Sequence, residues 1–356
     1  MIITAVSVLL VGLQSWSVPY YALTPGGATP VAPLVKISGL RTDPHPDKIL
    51  LTDVYLQSLS AWQWLVMHFQ SHVEFVSAGQ LVEPGIPTDE LGAQGFLEMS
   101  DSKQAAEVAA LEALGWHLHA ISDGAVVTGV VAPSPARSAG LRVADRIVGV
   151  NTTPIRSACG LIGAVHLLAP GTTVRLRVAR AHISARGIIS WSRPRTLVVR
   201  TAQAPAGLGP SGCPGLHGVD RSWLGLAPEN GVRYALPGVI SINTSNIGGP
   251  SAGLAMTLTL IDQLSAGSLT GHHVVAATGT IAPNGAVGEV GGVAEKTVAV
   301  QRSGAGVFLV PSAEVATATQ AAQPGLRIIG VATLHQALKY LRALGGVAPI
   351  ALTKPH

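Results

Sequence analysis

Ser251 closes a glycine-rich turn, Asn246-Ile-Gly-Gly-Pro250, and precedes an apolar run at 254–264 that reads as a helix. A serine at a helix start meets unpaired backbone N–H groups and the positive end of the helix dipole. Those donors favour negative charge, such as the oxyanion formed when a hydroxyl attacks an acyl carbon. Pro250 suits the first helical position, and the glycines let a substrate backbone come close. Gly249, Pro250 and Ala252 are therefore supporting positions around a candidate nucleophile.

A serine hydroxyl needs a base. His272 and His273 have no Ser-His-Asp spacing around them and read as turn residues. Lys296 is the better candidate. It follows Gly291-Gly-Val-Ala-Glu295, opens another helix, and has Val293, Ala294, Val298 and Ala299 as apolar neighbours. Burial disfavours an ammonium ion and lowers a lysine's pKa, and the neutral amine can then take the serine proton. Glu295 is the one acidic group near it in sequence, and on a helix it points about 100° away.

The elements that must position this pair lie at 221–345. Strands are expected near 238–243, 274–280, 306–310 and 326–331, alternating with helices near 250–265, 293–302, 312–321 and 333–344, as in an α/β block. Residues 117–202 alternate short apolar runs with turns and read as a β-rich module. Residues 34–116 form a mixed region with a strand at 48–56, a helix at 61–69, and a helix capped by Ser100 or Asp101 that runs to Leu114. Proline and glycine mark 24–33 and 203–220 as linkers.

Two stretches carry a family resemblance. GGPSAGLAMTLTLIDQLSAG, VVAATGTIAPNGAVGEVGGVAEKTVAV, VFLVPSAE and LHQALKYL, in that order over 237–343, resemble the peptidase domain of Lon proteases. The resemblance implies Ser251 as nucleophile, Lys296 as its partner, and Thr278 as a residue that helps position the lysine. Two positions depart from the family: Gly248 stands where an acidic residue is common, and Thr280 replaces the glutamate of a T-G-E motif. SPARSAGLRVADRIVGVNTTPI resembles part of a PDZ domain, with Ala144 where a glycine is usual. PDZ domains add a peptide as a strand to a sheet edge, and the carboxylate-binding loop is expected around Ser122, Asp123 and Gly124. No Walker A motif occurs in the chain, so the resemblance is to the ATP-independent, membrane-anchored branch that joins PDZ and Lon-like domains. VPYYALTPGGATPVAPLV and FLEMSDSKQAAEVAAL also resemble that branch. Lon-like domains commonly form rings, which implies a homo-oligomer.

Residues 2–13 are apolar apart from Thr4 and Ser7, and 1–22 just reach the roughly 20 residues of a spanning helix. Trp16, Tyr20 and Tyr21 would anchor it at the interface. A basic n-region and an A-x-A-like cleavage site are missing, which favours an uncleaved anchor over a cleaved signal. The expected location is the cell membrane, single-pass, with the other domains outside the cytoplasm.

The remaining features are read as structural. The 356 residues carry a net charge of +4 without a block of like charges. Arg175 and Arg177 alternate with apolar residues as on a solvated strand face, and nucleic-acid binding is not expected. Cys159 and Cys213 lack the partners of a zinc site; a disulfide between them is an alternative outside the cell, and a free, buried Cys159 is favoured over it. Ser100-Asp-Ser-Lys103 spells S-x-x-K, but the companion motifs are absent. His117 and His119 have no carboxylate or cysteine company, and Trp62 and Trp64 read as a packing face. No metal or cofactor is implied.

The expected molecule is thus an α+β multidomain chain: a transmembrane anchor at 1–22, a mixed α/β region at 34–116, a PDZ domain at 117–202 and a Lon-like peptidase domain at 221–345. Its expected function is that of a membrane-tethered serine endopeptidase acting on proteins or peptides recruited through the PDZ domain. The alternative is a non-catalytic PDZ scaffold on a peptidase-like fold that binds partner termini.

Overall fold

A long strand forms where proline and glycine suggested a linker. In the computed structural model, which describes residues 12–44, 48–82, 85–184, 187–205, 212–213 and 222–353, β1 (Ser17–Pro30) pairs antiparallel with β3 (Lys48–Ser60). The register shifts between Pro25 and Ala28. At that shift a Cβ on Gly26 would lie 2.0 Å from Asp53 Oδ1, and the Gly27 N–H donates to the same oxygen at 2.8 Å. These glycines serve a close approach of two strands rather than a free loop.

Between them, β2 (Val35–Ser38) leaves the main sheet. After β3 come α1 (Ala61–Met67), whose N-terminus is closed by a Ser60–Gln63 capping box, and β4 (Glu74–Ser77), which pairs with β1. Next is α2 (Leu91–Ala113). Ser100 and Asp101 lie inside this helix and do not cap it. Its first turns carry Gly92 and Gly95 and no capping side chain, so the local signals of a helix start are missing.

The β-rich module follows: β5 (Ala120–Val130), β6 (Arg146–Val150), α3 (Ala158–His166), β7 (Thr173–Ala179), β8 (Arg195–Arg200) and β9 (Leu226–Tyr234). The strands run in the order β8-β7-β6-β5-β9 around a core that includes Val127, Ile147, Leu161, Leu176 and Val199. β7 buries Val174, Leu176 and Val178 and exposes Arg175 and Arg177, as the alternation implied. β9 comes from residues assigned on sequence to the peptidase block. Cys159, expected to be free, is disulfide-bonded to Cys213. The two cysteines are 54 positions apart, a separation that says nothing by itself about contact.

The chain then returns to the first sheet. β10 (Val239–Ile242) pairs with β2. α4 (Gly253–Leu264), β11 (Val274–Ala277), α5 (Val293–Ser303), β12 (Val307–Pro311), β13 (Arg327–Val331) and α6 (Leu334–Ala343) complete it. The sheet order is β13-β12-β11-β3-β1-β4. β13, β12, β11 and β3 are parallel, and β1 and β4 are antiparallel additions. Both faces of the parallel part are covered. Leu51, Val275 and Leu309 join a core with Met99 and Ala106 of α2 and Leu254 and Leu258 of α4. Leu50, Ala276 and Phe308 pack with Val293 and Val300 of α5. Two covered faces explain why β12 is apolar throughout. One sheet therefore draws strands from both sides of the β-rich module.

No helix among the described residues is long and apolar enough to cross a membrane. Residues 17–22 of the expected anchor are strand, with Tyr21 paired to Ser58 and Tyr20 to Ser77. Residues 1–11 of it lie outside the described residues.

Candidate active site

The loop bearing Ser251 is gripped from two directions. From α2, the Ser102 hydroxyl donates to the Pro250 carbonyl at 2.9 Å, and the Gly95 carbonyl accepts the Gly249 N–H at 2.7 Å. The backbones are so close that a Cβ on Gly248 would meet the Gly95 carbonyl carbon at 3.1 Å, which suits a glycine where the Lon pattern has an acidic residue. From the end of β11, the Gly279 N–H donates to the Ser251 carbonyl at 3.0 Å and the Thr278 hydroxyl to the same oxygen at 3.3 Å. Thr278 is itself fixed by its N–H bond to the Leu309 carbonyl at 3.0 Å. Its hydroxyl thus holds the backbone of the serine.

α4 begins at Gly253 with Ala252 as its cap, so Pro250 and Ser251 stand just before the helix instead of in its first turn. The N–H groups of Ser251 and Ala252 meet no backbone acceptor among the described residues. They are candidate donors to an oxyanion, in front of a helix N-terminus. Ser251 is half-buried.

Lys296 sits in the first turn of α5, which starts from a left-handed Gly292. The side chain is almost sealed, with only 2% exposure. Burial pushes its ammonium down to about 8, against the opposing pull of Glu314, Asp53 and Glu295. Lys296 takes part in none of the ion pairs among the described residues. Glu314, just after β12, accepts the Val290 N–H at 3.1 Å ahead of α5, and burial raises its carboxyl. Sequence proximity pointed to Glu295 alone. Asp53 and Glu314 come from distant elements and carry no local signal. Ser102 and Gly95 were missed for the same reason.

The two residues approach one end of the sheet. Ala277 of β11 pairs with Leu51 of β3. One step further on β11, Thr278 holds Ser251, and three steps further on β3, Val54 lies against Gly292 at the start of the helix that carries Lys296. In α/β sheets, ligands bind at the carboxyl ends of parallel strands.

The β-rich module has a separate feature. Ser122, Asp123 and Gly124 lie near the start of β5, between β6 and β9. Ser122 pairs with Val232, and the Asp123 carboxylate is bonded to Arg146. On that side the sheet ends at β9, and β8 is the opposite edge. Leu161, Ile162 and Val165 of α3 line a small cavity with Trp223, Leu224 and Leu226, where an added strand would find apolar side-chain pockets.

With that geometry in place, the matches to known families have a clear meaning. Residues 112–184 match the PDZ domain, and residues 244–343 match the Lon protease (S16) C-terminal proteolytic domain. The chain carries a PDZ domain and a Lon-type proteolytic domain. Neither match reaches β1 or β3, which complete the proteolytic domain's sheet. Over 57 residues the chain is 47% identical to a protein described as a probable periplasmic serine endoprotease DegP-like in Chlamydia trachomatis, and equally to its counterpart in Chlamydia muridarum. Each match covers 16% of this chain and 12% of the relative, so the chain spans a small part of those proteins. The PDZ domain of an SdrC-like protein from Listeria monocytogenes aligns at 15% identity over 30% of this chain and 87% of that one, with a TM-score of 0.22, too low to carry an argument.

Proposed function

We propose that the chain is an ATP-independent serine endopeptidase in which Ser251 is the nucleophile and Lys296 the general base. The observation that carries this reading is a serine with its backbone clamped at the same sheet end as a sealed lysine held near 8. At pH 7, roughly one such lysine in ten is neutral, against about one in 2,500 at the ordinary value. The neutral Nζ takes the Oγ proton as Oγ attacks the scissile carbonyl. The N–H groups of Ser251 and Ala252 receive the oxyanion. The protonated amine then returns its proton to the departing amine, and a water repeats the sequence on the acyl-enzyme. Asp53, Glu295 and Glu314 make the transient ammonium tolerable.

Substrate recruitment belongs to the PDZ domain. A peptide would add to the outer edge of β9 across from α3, with the Trp223-Leu-Gly-Leu226 turn at its end, instead of at Ser122–Gly124. The Cys159–Cys213 bond supports a location outside the cytoplasm, and the apolar run at 2–13 would tether the chain to the membrane. A homo-oligomer is implied by the Lon resemblance.

The test is an activity-based serine probe together with hydrolysis of a fluorogenic peptide. Wild type should be labelled and active without ATP, and Ser251→Ala should be neither. A wild type that takes no probe and cleaves nothing leaves the scaffold reading.

A further inference from the structure

The face built by α1 and the neighbouring ends of β1 and β3 is unpartnered among the described residues. Trp62, Leu65, Val66 and Phe69 stand at i, i+3, i+4 and i+7, the spacing of one helix side. All four are exposed, Phe69 to 86%. The opposite side does the packing: Trp64 lies 6.5 Å from Tyr20 and 4.4 Å from His68, ring centre to ring centre. Trp16 continues the apolar face, 69% exposed, with its carbonyl accepting the Ala61 N–H at 2.8 Å.

Charge is missing from this part of the chain. No Asp, Glu, Lys or Arg occurs between Asp53 and Glu74, or before Lys36. The apolar run at 2–13 precedes Trp16 in the sequence. Soluble proteins seldom leave a stripe of this kind in water. Tryptophan and tyrosine are the side chains that settle at the membrane–water interface, and a helix with an apolar face lies in that layer.

We infer that this face docks on a lipid bilayer, with Trp62, Leu65, Val66 and Phe69 in the interfacial layer. The proposed catalytic site lies close by. β3 runs from Val54, which lies 3.1 Å from where a Cβ on Gly292 at the start of α5 would stand, directly into α1. Resting on the peptidase reading, this adds a substrate class: chain segments that emerge from a membrane, cut close to its surface.

The experiment places an environment-sensitive fluorophore on Phe69→Cys of the full chain, and a control label on Val198→Cys of β8, which is also exposed. With phosphatidylcholine vesicles, the label at 69 should shift to the blue, lose quenching by iodide and gain quenching by lipids brominated on their acyl chains. The label at 198 should not change. Because the face is uncharged, added salt or phosphatidylglycerol should alter this little. Leu65→Glu should restore iodide access at 69 and leave short-peptide hydrolysis at the wild-type rate. The inference is overturned if the protein does not bind the vesicles, or if 69 stays as open to iodide as 198 in bound protein. Shielding at 69 that grows with protein concentration in the absence of lipid would also overturn it, making the face a contact between copies. Peptide hydrolysis is read separately, so failure of the peptidase reading is distinguishable from failure of docking.

Discussion

The PDZ module and the proteolytic unit are drawn from the chain in opposite ways. The module is nearly continuous, from β5 to β9, and its core residues meet neighbours from the same stretch. The proteolytic unit is split around it: Leu51 pairs with Ala277, and Ser102 holds Pro250 from 148 positions away. In the continuous region, local pattern and tertiary structure agree. In the split region, a local motif names the proposed nucleophile, while distant segments set its conformation and the charge around its proposed base.

That contrast can be tested with substitutions that act on one region only. The largest effect is expected at the dyad. Ser251→Ala and Lys296→Arg should each lower kcat/KM for a short peptide by about a thousandfold or more, with circular dichroism unchanged; the arginine keeps the charge but cannot give up its proton at these pH values. A substantially active arginine variant would remove Lys296 as the base. Next is pH. The active form is the neutral amine and the lysine sits near 8, so acylation should rise about tenfold between pH 7 and 9 and level off above. A flat profile measured by stopped flow would contradict the assignment.

A smaller effect belongs to the distant clamp. Ser102→Ala removes the hydroxyl that holds Pro250, a bond worth about 1 kcal/mol. It should cost roughly fivefold in kcat with KM nearly constant, and it should leave the midpoint of the pH profile in place. A shifted midpoint would mean that α2 acts on Lys296 as well. The smallest effect on short peptides is expected in the module. Cys159→Ser opens a 54-residue loop, a constraint worth up to ~4 kcal/mol by chain entropy. It should lower the melting temperature of the PDZ transition in calorimetry and weaken turnover of long protein substrates, with short-peptide kinetics unchanged. Equal losses on both substrates would show that the two regions are coupled.

The same contrast explains what could be read from residues alone. β7 was legible because Arg175 and Arg177 alternate with buried neighbours, and β12 because it is apolar on both sides. The Ser251 turn and Lys296 carry their chemistry in adjacent residues. β1 was not legible, because Gly26 and Gly27 answer to Asp53 on another strand. The start of α2 was hidden because Gly95 meets the Ser251 loop. The helix after β3 was legible, but Trp62, read with Trp64 as a packing face, is exposed, because residue type alone does not say which side of α1 meets the sheet.

The split arrangement also sets a clock. Chains are made N-terminus first and tend to fold domain by domain. β1 and β3 emerge early, but the strand that flanks β3 on the catalytic side arrives 226 residues later. While a chain is still being synthesised, the PDZ module can fold, but the serine and lysine have no common scaffold. The proposed protease therefore gains the means to select a substrate before it gains the means to cut one.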